Sequence, residues 1–320
     1  MHLTVLAVPD CPNVKLLEQH LFQALEGHHD VTVSRHEIAD ENQAARRGMN
    51  GSPTLLVDGL DPFAGPDQRA SLSCRLFPDG RGRSAGAPSI EQLRQAINHP
   101  ITVVAHTDGQ SWLDALGRGG RGRLTPADRG LRAVHQAILR SFAAAGDAPD
   151  QEALDDAARP FRTSQVLADL AEGDFLCLDH TGQITAAYPF SATPTPHTVQ
   201  ITGGASAYAM CAIDALGIAA MLGTSVHIRS ADAATGEPIR VAVDGTGALW
   251  EPDTAVVFVG RTASDRQGPS AAFCCGFMNF FSSHAMAAAW AAAHPDVTGG
   301  ILSQRRALEV GQQIFGQLLH

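Results

Sequence analysis

Apolar residues gather in short blocks closed by turn signals over the first hundred positions. Leu3–Val8 reads as a strand that meets Pro9, Val31–Ile38 as a second strand, and Gly51–Gly59 as a third that ends in an Asp-Gly turn. Between the first two, Leu16–Leu25 carries helical spacing, and Ser89 stands at the capping position of a last helix. A different rhythm begins at Thr125-Pro126-Ala127-Asp128, which predicts a helix start with Thr at the cap and Pro in the first turn. Leu131, Val134, Ile138, Leu139 and Phe142 then recur at helical spacing, and two shorter helices are expected at Gln151–Ala158 and Thr163–Ala171. Phe175–Leu178 and Gln183–Tyr188, split by His180-Thr181-Gly182, predict a hairpin. Beyond Thr195 the pattern mixes. Strands are expected at His197–Thr202, Val226–Ser230, Ile239–Val243, Ala255–Val259 and Phe273–Phe281, and helices at Ala205–Leu222, His284–Ala293 and Ala307–Leu319.

This order predicts an α+β chain, and 320 residues is enough for about two domains. The division expected is a small α/β unit over 1–99, a connector over 100–124, a segment of three helices and a hairpin over 125–194, and a mixed α/β core over 195–320. The connector holds Gly117-Arg118-Gly119-Gly120-Arg121-Gly122-Arg123 and reads as flexible, with a basic contact patch as the alternative. Three helices and a hairpin make a winged-helix pattern. Residues 126–190 carry five Arg against ten Asp and Glu, so this segment repels phosphate, and a packing role fits better than DNA binding. The whole chain, at net charge −10 with Lys15 its one lysine, argues equally against a nucleic-acid partner. No basic leader opens the chain, which sets the expectation of a cytoplasmic protein. The stretch from Ala205 to Gly223 has membrane length, but it is rich in Ala and Gly and carries Asp214, so a buried helix is expected and no membrane partner.

Six cysteines (11, 74, 177, 211, 274 and 275) are too few for a disulfide scaffold, and thiols or metal ligands are the expectation. Cys211 and Asp214 lie three positions apart in the apolar run and would share a helix face. A carboxylate there is costly without a partner or a task. Two soft sulfurs and one proton carrier would suit a soft metal whose bond to carbon is to be broken. Plainer readings stand beside this one. Cys211 alone could be a small buried hydrophobe, Asp214 could face a buried polar partner, and in a strand Cys274 and Cys275 would point to opposite faces. None of the fourteen histidines makes a zinc spacing with paired cysteines. A nucleophilic Cys–His–Asp arrangement of Cys211 with His284 or His227 has no local pattern behind it.

Two resemblances sharpen these expectations. The order of elements in 1–99, with Cys11 before the first helix and Ser52-Pro53-Thr54 where a cis proline would sit beside a thiol, resembles a thioredoxin-like domain, although Val14 replaces the second cysteine of a Cys-x-x-Cys. Tyr208-Ala209-Met210-Cys211-Ala212-Ile213-Asp214-Ala215-Leu216, then Phe273-Cys274-Cys275-Gly276-Phe277-Met278-Asn279-Phe280-Phe281 after a gap of 63 residues from Cys211 to Cys274, and Glu309-Val310-Gly311-Gln312 resemble the alkylmercury lyase family. That resemblance implies an enzyme of mercury resistance and detoxification that cleaves the carbon–mercury bond by protonolysis. Cys211 and Cys274 would bind mercury, Asp214 would transfer the proton, and Cys275 would take a less essential neighbouring place. A further cysteine of some members is absent, Ser230-Ala231-Asp232 standing there. The family implies no organic cofactor: mercury enters as organomercurial substrate and leaves as Hg(II), with low-molecular-weight thiols and a mercuric reductase as acceptors. Cys11, with Cys74, becomes a candidate relay for mercury. The alternative is a mercury- or thiol-responsive binding protein on the same scaffold, which would need the cysteines but not the acid.

Overall fold

A computed structural model of the chain describes residues 1–28, 31–64, 70–78, 84–98, 122–262 and 269–320. In the first unit, strand β1 (His2–Ala7) runs parallel to β2 (Thr32–Glu37) and antiparallel to β4 (Thr54–Val57), in the order β2-β1-β4. Helix α1 (Val14–Ala24) buries Val14, Leu17, Leu21 and Ala24, the three-and-four spacing of one apolar face. That face meets Leu3, Val5, Leu55 and Val57 of the sheet and Leu93 and Ile97 of α3 (Ile90–Asn98). Ser89 starts α3 with a reciprocal cap: its Oγ accepts from Gln92 N–H at 3.2 Å, and Gln92 Oε1 accepts from Ser89 N–H at 2.9 Å. Helix α2 (Glu41–Arg47) is additional to the expected elements. It buries only Ala44, so little apolar periodicity announced it. The run expected as one strand at Gly51–Gly59 is two, β3 (Asn50–Ser52) and β4, divided at the cis Ser52–Pro53 bond. β3 pairs with β5 (Ser71–Cys74), and β6 (Phe77–Pro78) pairs with β7 (Ser84–Ala85).

Residues 100–121 of the expected connector lie outside the described residues. The helix start expected at Thr125 is corrected. A 3-10 turn at Asp128–Gly130 precedes α4 (Leu131–Ala145), because Gly130 is left-handed (φ +75°) and interrupts the helical run. Helices α5 (Gln151–Ala158) and α6 (Thr163–Glu172) follow, then the hairpin β8 (Leu176–Leu178) and β9 (Ile184–Ala187). The hairpin continues into a larger sheet through β10 (Phe190–Ser191), β11 (Thr198–Ile201), β12 (Ser206–Ala209), β13 (Val226–Ala231), β14 (Pro238–Asp244) and β15 (Gly247–Glu251). These eight strands run in the order β15-β14-β13-β11-β12-β10-β9-β8. Helix α7 (Ala212–Leu222) packs beside this sheet. A second sheet of β16 (Val256–Thr262), β17 (Asn279–Phe281) and β18 (Val297–Leu302) is ordered β17-β16-β18. Helices α8 (His284–Ala293) and α9 (Gln304–Phe315) complete the chain. One apolar cluster runs from Leu131 to Leu318 and crosses position 194 without a break.

Two further expectations are corrected. Ala205–Leu222 is not one helix: Ser206–Ala209 pairs as β12 with β10 and β11, and pairing between distant strands overrides the local helical pattern. Phe273–Phe281 is not one strand. A helical turn at Ser270–Phe273 and a 3-10 turn at Cys275–Phe277 precede β17, so only the last three residues are extended. Strands β15 and β18 are additional. Gly299 weakens the strand signal of β18, yet a β-carbon there would lie 2.2 Å from the Val259 carbonyl oxygen.

The first unit docks on the second. Asp253, just before β16, accepts from Ser34 Oγ at 2.8 Å, lies 2.7 Å from His36 Nε2 and is 3.6 Å from Arg47 Nη1. Burial pushes the Asp253 carboxyl up, but hydrogen bonds from His2, His36 and Ser34 outweigh it and hold the group well below the usual carboxylate range. Leu60 adds an apolar contact with Val256, Phe258 and Phe281. Among the described residues no helix is long and apolar enough to cross a membrane.

Helices α7 and α9 approach closely because Gly217 faces Gly311. A β-carbon on Gly217 would lie 2.4 Å from Phe315 Cδ2 and 2.8 Å from the Gly311 carbonyl oxygen. Replacing a helical Gly by Ala normally gains about 1 kcal/mol. Overpacking of this kind costs about 1–3 kcal/mol, and the blocking atom at 311 is backbone, so the cost wins. Gly217→Ala is therefore expected to lower the melting temperature, and an unchanged or raised value would show that the two helices separate freely.

Candidate functional site

The site forms where β12 ends and α7 begins. Met210 N–H still reaches the Pro189 carbonyl at 3.0 Å, and Cys211 then takes an extended conformation (φ −156°, ψ 178°) as the cap of α7. Its Sγ accepts from Asp214 N–H at 3.5 Å. The three-residue spacing of Cys211 and Asp214 is thus a cap and the third residue of the first turn, not two positions on one helix face. The result still places thiol beside carboxyl, the two side chains close enough to shift each other's proton affinity. Both lie at the positive end of the helix, where a negative charge is favoured. Burial opposes this: Cys211 is fully buried and Asp214 is 3% exposed.

The second arm is the turn at 274–275. Ala212 N–H donates to the Met278 carbonyl at 3.0 Å and ties the start of α7 to the segment after this turn. Because the segment is a turn and not a strand, Cys274 and Cys275 do not diverge to opposite faces. Cys275 lies close enough to both Cys211 and Cys274 to shift their proton affinities, so three thiols gather beside Asp214. Cys274 Sγ rests on the Ser270 carbonyl at 3.0 Å, and Met278 Sδ lies 3.9 Å from Cys211 Sγ.

Water exclusion sets the protonation. Burial raises Cys211 to about 11, with the Asp214 charge adding to the rise. Cys274 is raised by its hydrogen bond with Cys275 and then by burial, and Cys275 by its bond with Cys211. Asp214 is raised to about 6, chiefly by burial, while the Cys211 hydrogen bond and the Arg123 charge pull it down. At neutral pH the thiols keep their protons, and Asp214 can both take and give one.

The residues that frame this cluster were not foreseen. Arg123, the last arginine of the expected connector, is 3% exposed. Its guanidinium lies over the Tyr188 ring at 3.8 Å and donates to the Asp174 carbonyl at 2.6 Å. Asp174 accepts from both the amide and the hydroxyl of Ser270, and Tyr188 Oη accepts from Ala271 N–H at 2.8 Å. These partners lie 51 to 96 residues apart in pairs, and no local pattern joins them. The only local sign is Asp174 in a Gly-Asp turn, where it takes a left-handed conformation (φ +57°).

The remaining candidates lie elsewhere. His227 is exposed on β13, and His284 stands at the start of α8 near Asp61. Among the described residues the side-chain partners of Cys211 are Asp214, Cys275 and Met278, so neither histidine forms a dyad with it. In the first unit, Cys11 sits in the turn before α1, its N–H on the Val8 carbonyl and its carbonyl taking Val14 N–H, each at 3.3 Å. Cys74 pairs across from Ser52, beside the cis Pro53, and its Sγ accepts from Asn13 Nδ2 at 3.3 Å. Cys74 thus rests on the turn that carries Cys11.

Three buried thiols and one buried carboxyl are gathered where α7 begins. Comparison with known proteins identifies the class. The model of the alkylmercury lyase family matches residues 190–316. An alkylmercury lyase of Staphylococcus epidermidis is 31% identical over 179 residues, covering 55% of this chain and 79% of that protein. One of Bacillus cereus is 38% identical over 136 residues, 42% of this chain and 60% of its own length. A crystal structure of the mercury-bound form of MerB2 superposes with a TM-score of 0.52 at 25% identity, covering 66% of this chain and 98% of that one. The chain belongs to the alkylmercury lyase family, and it is an enzyme of that kind.

The raised Asp214 has a measurable consequence. Its carboxyl titrates near 3.8 when unfolded and at about 6 when folded, so the folded state holds the proton more tightly. Its contribution to stability is therefore full below pH 3.8 and is lost as the pH rises through 6, a span worth about 3 kcal/mol. Asp214→Asn is expected to be more stable than the parent at pH 8 by about 2–3 kcal/mol, with the gap closing toward pH 4. Denaturant unfolding at the two pH values measures this, and a gap that widens on acidification would reverse the assigned sign.

Proposed function

We propose that the enzyme splits organomercurials by protonolysis, with Cys211 and Cys274 as the mercury-binding pair and Asp214 as the proton carrier. The observation that supports this reading is the gathering of three buried thiols beside the buried Asp214 carboxyl at the start of α7, with Asp214 N–H on the Cys211 sulfur. R–Hg⁺ exchanges onto one thiol, and that proton leaves to solvent. The second thiol passes its proton to Asp214 and joins mercury as thiolate. Two sulfurs push electron density toward the mercury-bound carbon, which becomes basic enough to take the proton back from Asp214. R–H departs and Hg(II) stays on two sulfurs. The sum is R–Hg⁺ plus two thiols giving R–H, the dithiolate of Hg(II) and one H⁺. Cys275, beside both neighbours, is a third sulfur able to pass the proton or share the metal. Low-molecular-weight thiols, with a mercuric reductase beyond them, then remove Hg(II).

A pure mercury binder needs the sulfurs alone, so Asp214 separates the two readings. With phenylmercury and excess thiol, Asp214→Ala should retain bound mercury while benzene release falls by about 10²–10⁴-fold, the usual worth of a placed acid. Benzene formed at the parental rate would remove Asp214 from the chemistry.

Cys11 and Cys74 are proposed as the relay that receives Hg(II) after release. The support is the Asn13 contact that holds Cys74 on the Cys11 turn. Replacing both by Ser should slow multiple turnover at limiting external thiol and leave single turnover untouched. Equal multiple-turnover rates would end that assignment.

A further inference from the structure

We propose that Arg123, acting through Asp174 and Ser270, is the positioning residue that sets Cys274 as the second sulfur on mercury and balances the charge of the two-sulfur complex. The inference rests on the lyase reading of the site.

The helical turn that carries Cys274 to its place is only four residues long, Ser270–Phe273. A single turn has almost no stability of its own, because nucleation costs more than one hydrogen bond returns. Three contacts from distant residues hold it. Ser270 N–H donates to Asp174 Oδ1 at 2.9 Å, the Ser270 hydroxyl donates to the other oxygen of the same carboxylate, and Ala271 N–H donates to Tyr188 Oη at 2.8 Å. The Ser270 carbonyl thus fixed receives both the N–H and the Sγ of Cys274, each at 3.0 Å. Whatever positions Asp174 and Tyr188 therefore positions the Cys274 sulfur.

Arg123 contacts both. It donates to the Asp174 carbonyl at 2.6 Å, approaches its carboxylate at 3.7 Å, and stacks on the Tyr188 ring at 3.8 Å. Only a guanidinium combines a flat face for the ring with forked donors for the carbonyl and carboxylate. Its ion pair with Asp174 is loose, and its positive charge reaches further: it acts on Cys274 and on Asp214.

That reach has a purpose in the reaction. At rest the thiols are neutral, Arg123 and Asp174 cancel, and the Asp214 carboxylate holds the one uncompensated negative charge. When the second thiol passes its proton to Asp214, that charge moves onto the buried complex R–Hg(S)₂⁻, an unfavourable state unless a cation is near. Arg123 supplies that cation from a fixed, buried place. Capture by the first sulfur creates no net charge and needs neither the turn nor the guanidinium, so Arg123 should matter to the second sulfur alone.

The test uses the full chain with phenylmercury and measures benzene release together with retention of Hg(II) against a monothiol on gel filtration. Arg123→Gln should lower kcat by about 10- to 100-fold, the worth of hydrogen bonds to a charged group, with KM nearly unchanged. It should also lose Hg(II) at a monothiol concentration too low to strip the parent, which there retains one per chain. Arg123→Lys, which restores charge but not the fork, should recover part of kcat. Ser270→Ala, which removes one bond of the strut and no charge, should fall between Arg123→Lys and the parent. Parental kcat and Hg(II) retention in Arg123→Gln would overturn the inference. So would a loss in which Lys serves no better than Gln and KM rises in step with the fall in kcat, which is what a merely structural role predicts. Should Arg123→Gln fail to fold, Arg123→Lys and Ser270→Ala decide by the same two readouts. A parent that retains Hg(II) but releases no benzene would sink the lyase reading instead, and the retention assay would still judge Arg123.

Discussion

Exclusion of water from three thiols and one carboxyl is the constraint on which this structure turns. In water a cysteine and an aspartate at neutral pH lie far apart in proton affinity, the first mostly protonated and the second ionised. Burial raises both here, and it leaves Asp214 at about 6, where a carboxyl is a donor and an acceptor of comparable ease. The helix N-terminus works in the opposite direction, favouring negative charge at Cys211 and Asp214, and the desolvation cost is the larger of the two. A group so poised is costly to the fold, and its surroundings have to be rigid enough to carry it.

That rigidity comes from backbone bonds between segments far apart in the chain. Ala212 N–H on the Met278 carbonyl locks the cap of α7 to the cysteine turn. The close Gly217–Gly311 contact fastens α7 to α9 from behind. Asp174, after the helical segment, and Tyr188, in the turn between β9 and β10, reach across to the start of the same turn. The helices of 131–172 and their hairpin thus serve the site through these struts, and the hairpin is the edge of the main sheet.

The first unit stands in a different relation. Its sheet edge is clamped to Asp253 by two histidines, a serine and an arginine, and Leu60 enters an apolar cluster of the second unit. Those contacts make it a docked partner, and Cys11 and Cys74 lie at a turn of this docked unit, on elements distinct from those that hold the three-thiol cluster.

The sequence by itself determined the pieces whose physics is local. Amphipathic spacing marked α1, α4 and the paired short helices, a Ser with Gln three residues on started α3, and alternating apolar runs marked β1, β11, β13, β14 and β16. The Cys-x-x-Asp and Phe-Cys-Cys motifs pointed to the thiols and the acid through their resemblance to the alkylmercury lyase family, since the residue types alone left plainer readings open. Tertiary structure decided the rest. Ala205–Leu222 reads as one helix until β10 and β11 pair with Ser206–Ala209, a competition that only distant strands can win. Cys274 and Cys275 read as a strand with opposed sulfurs until Asp174 caps the turn from 96 residues away. Arg123 reads as linker charge, because nothing within its own stretch shows that a tyrosine ring and an aspartate would bury it. Local free energies are small and easily overridden, whereas the placement of a buried charge depends on every group around it, and those groups meet only when the chain has folded.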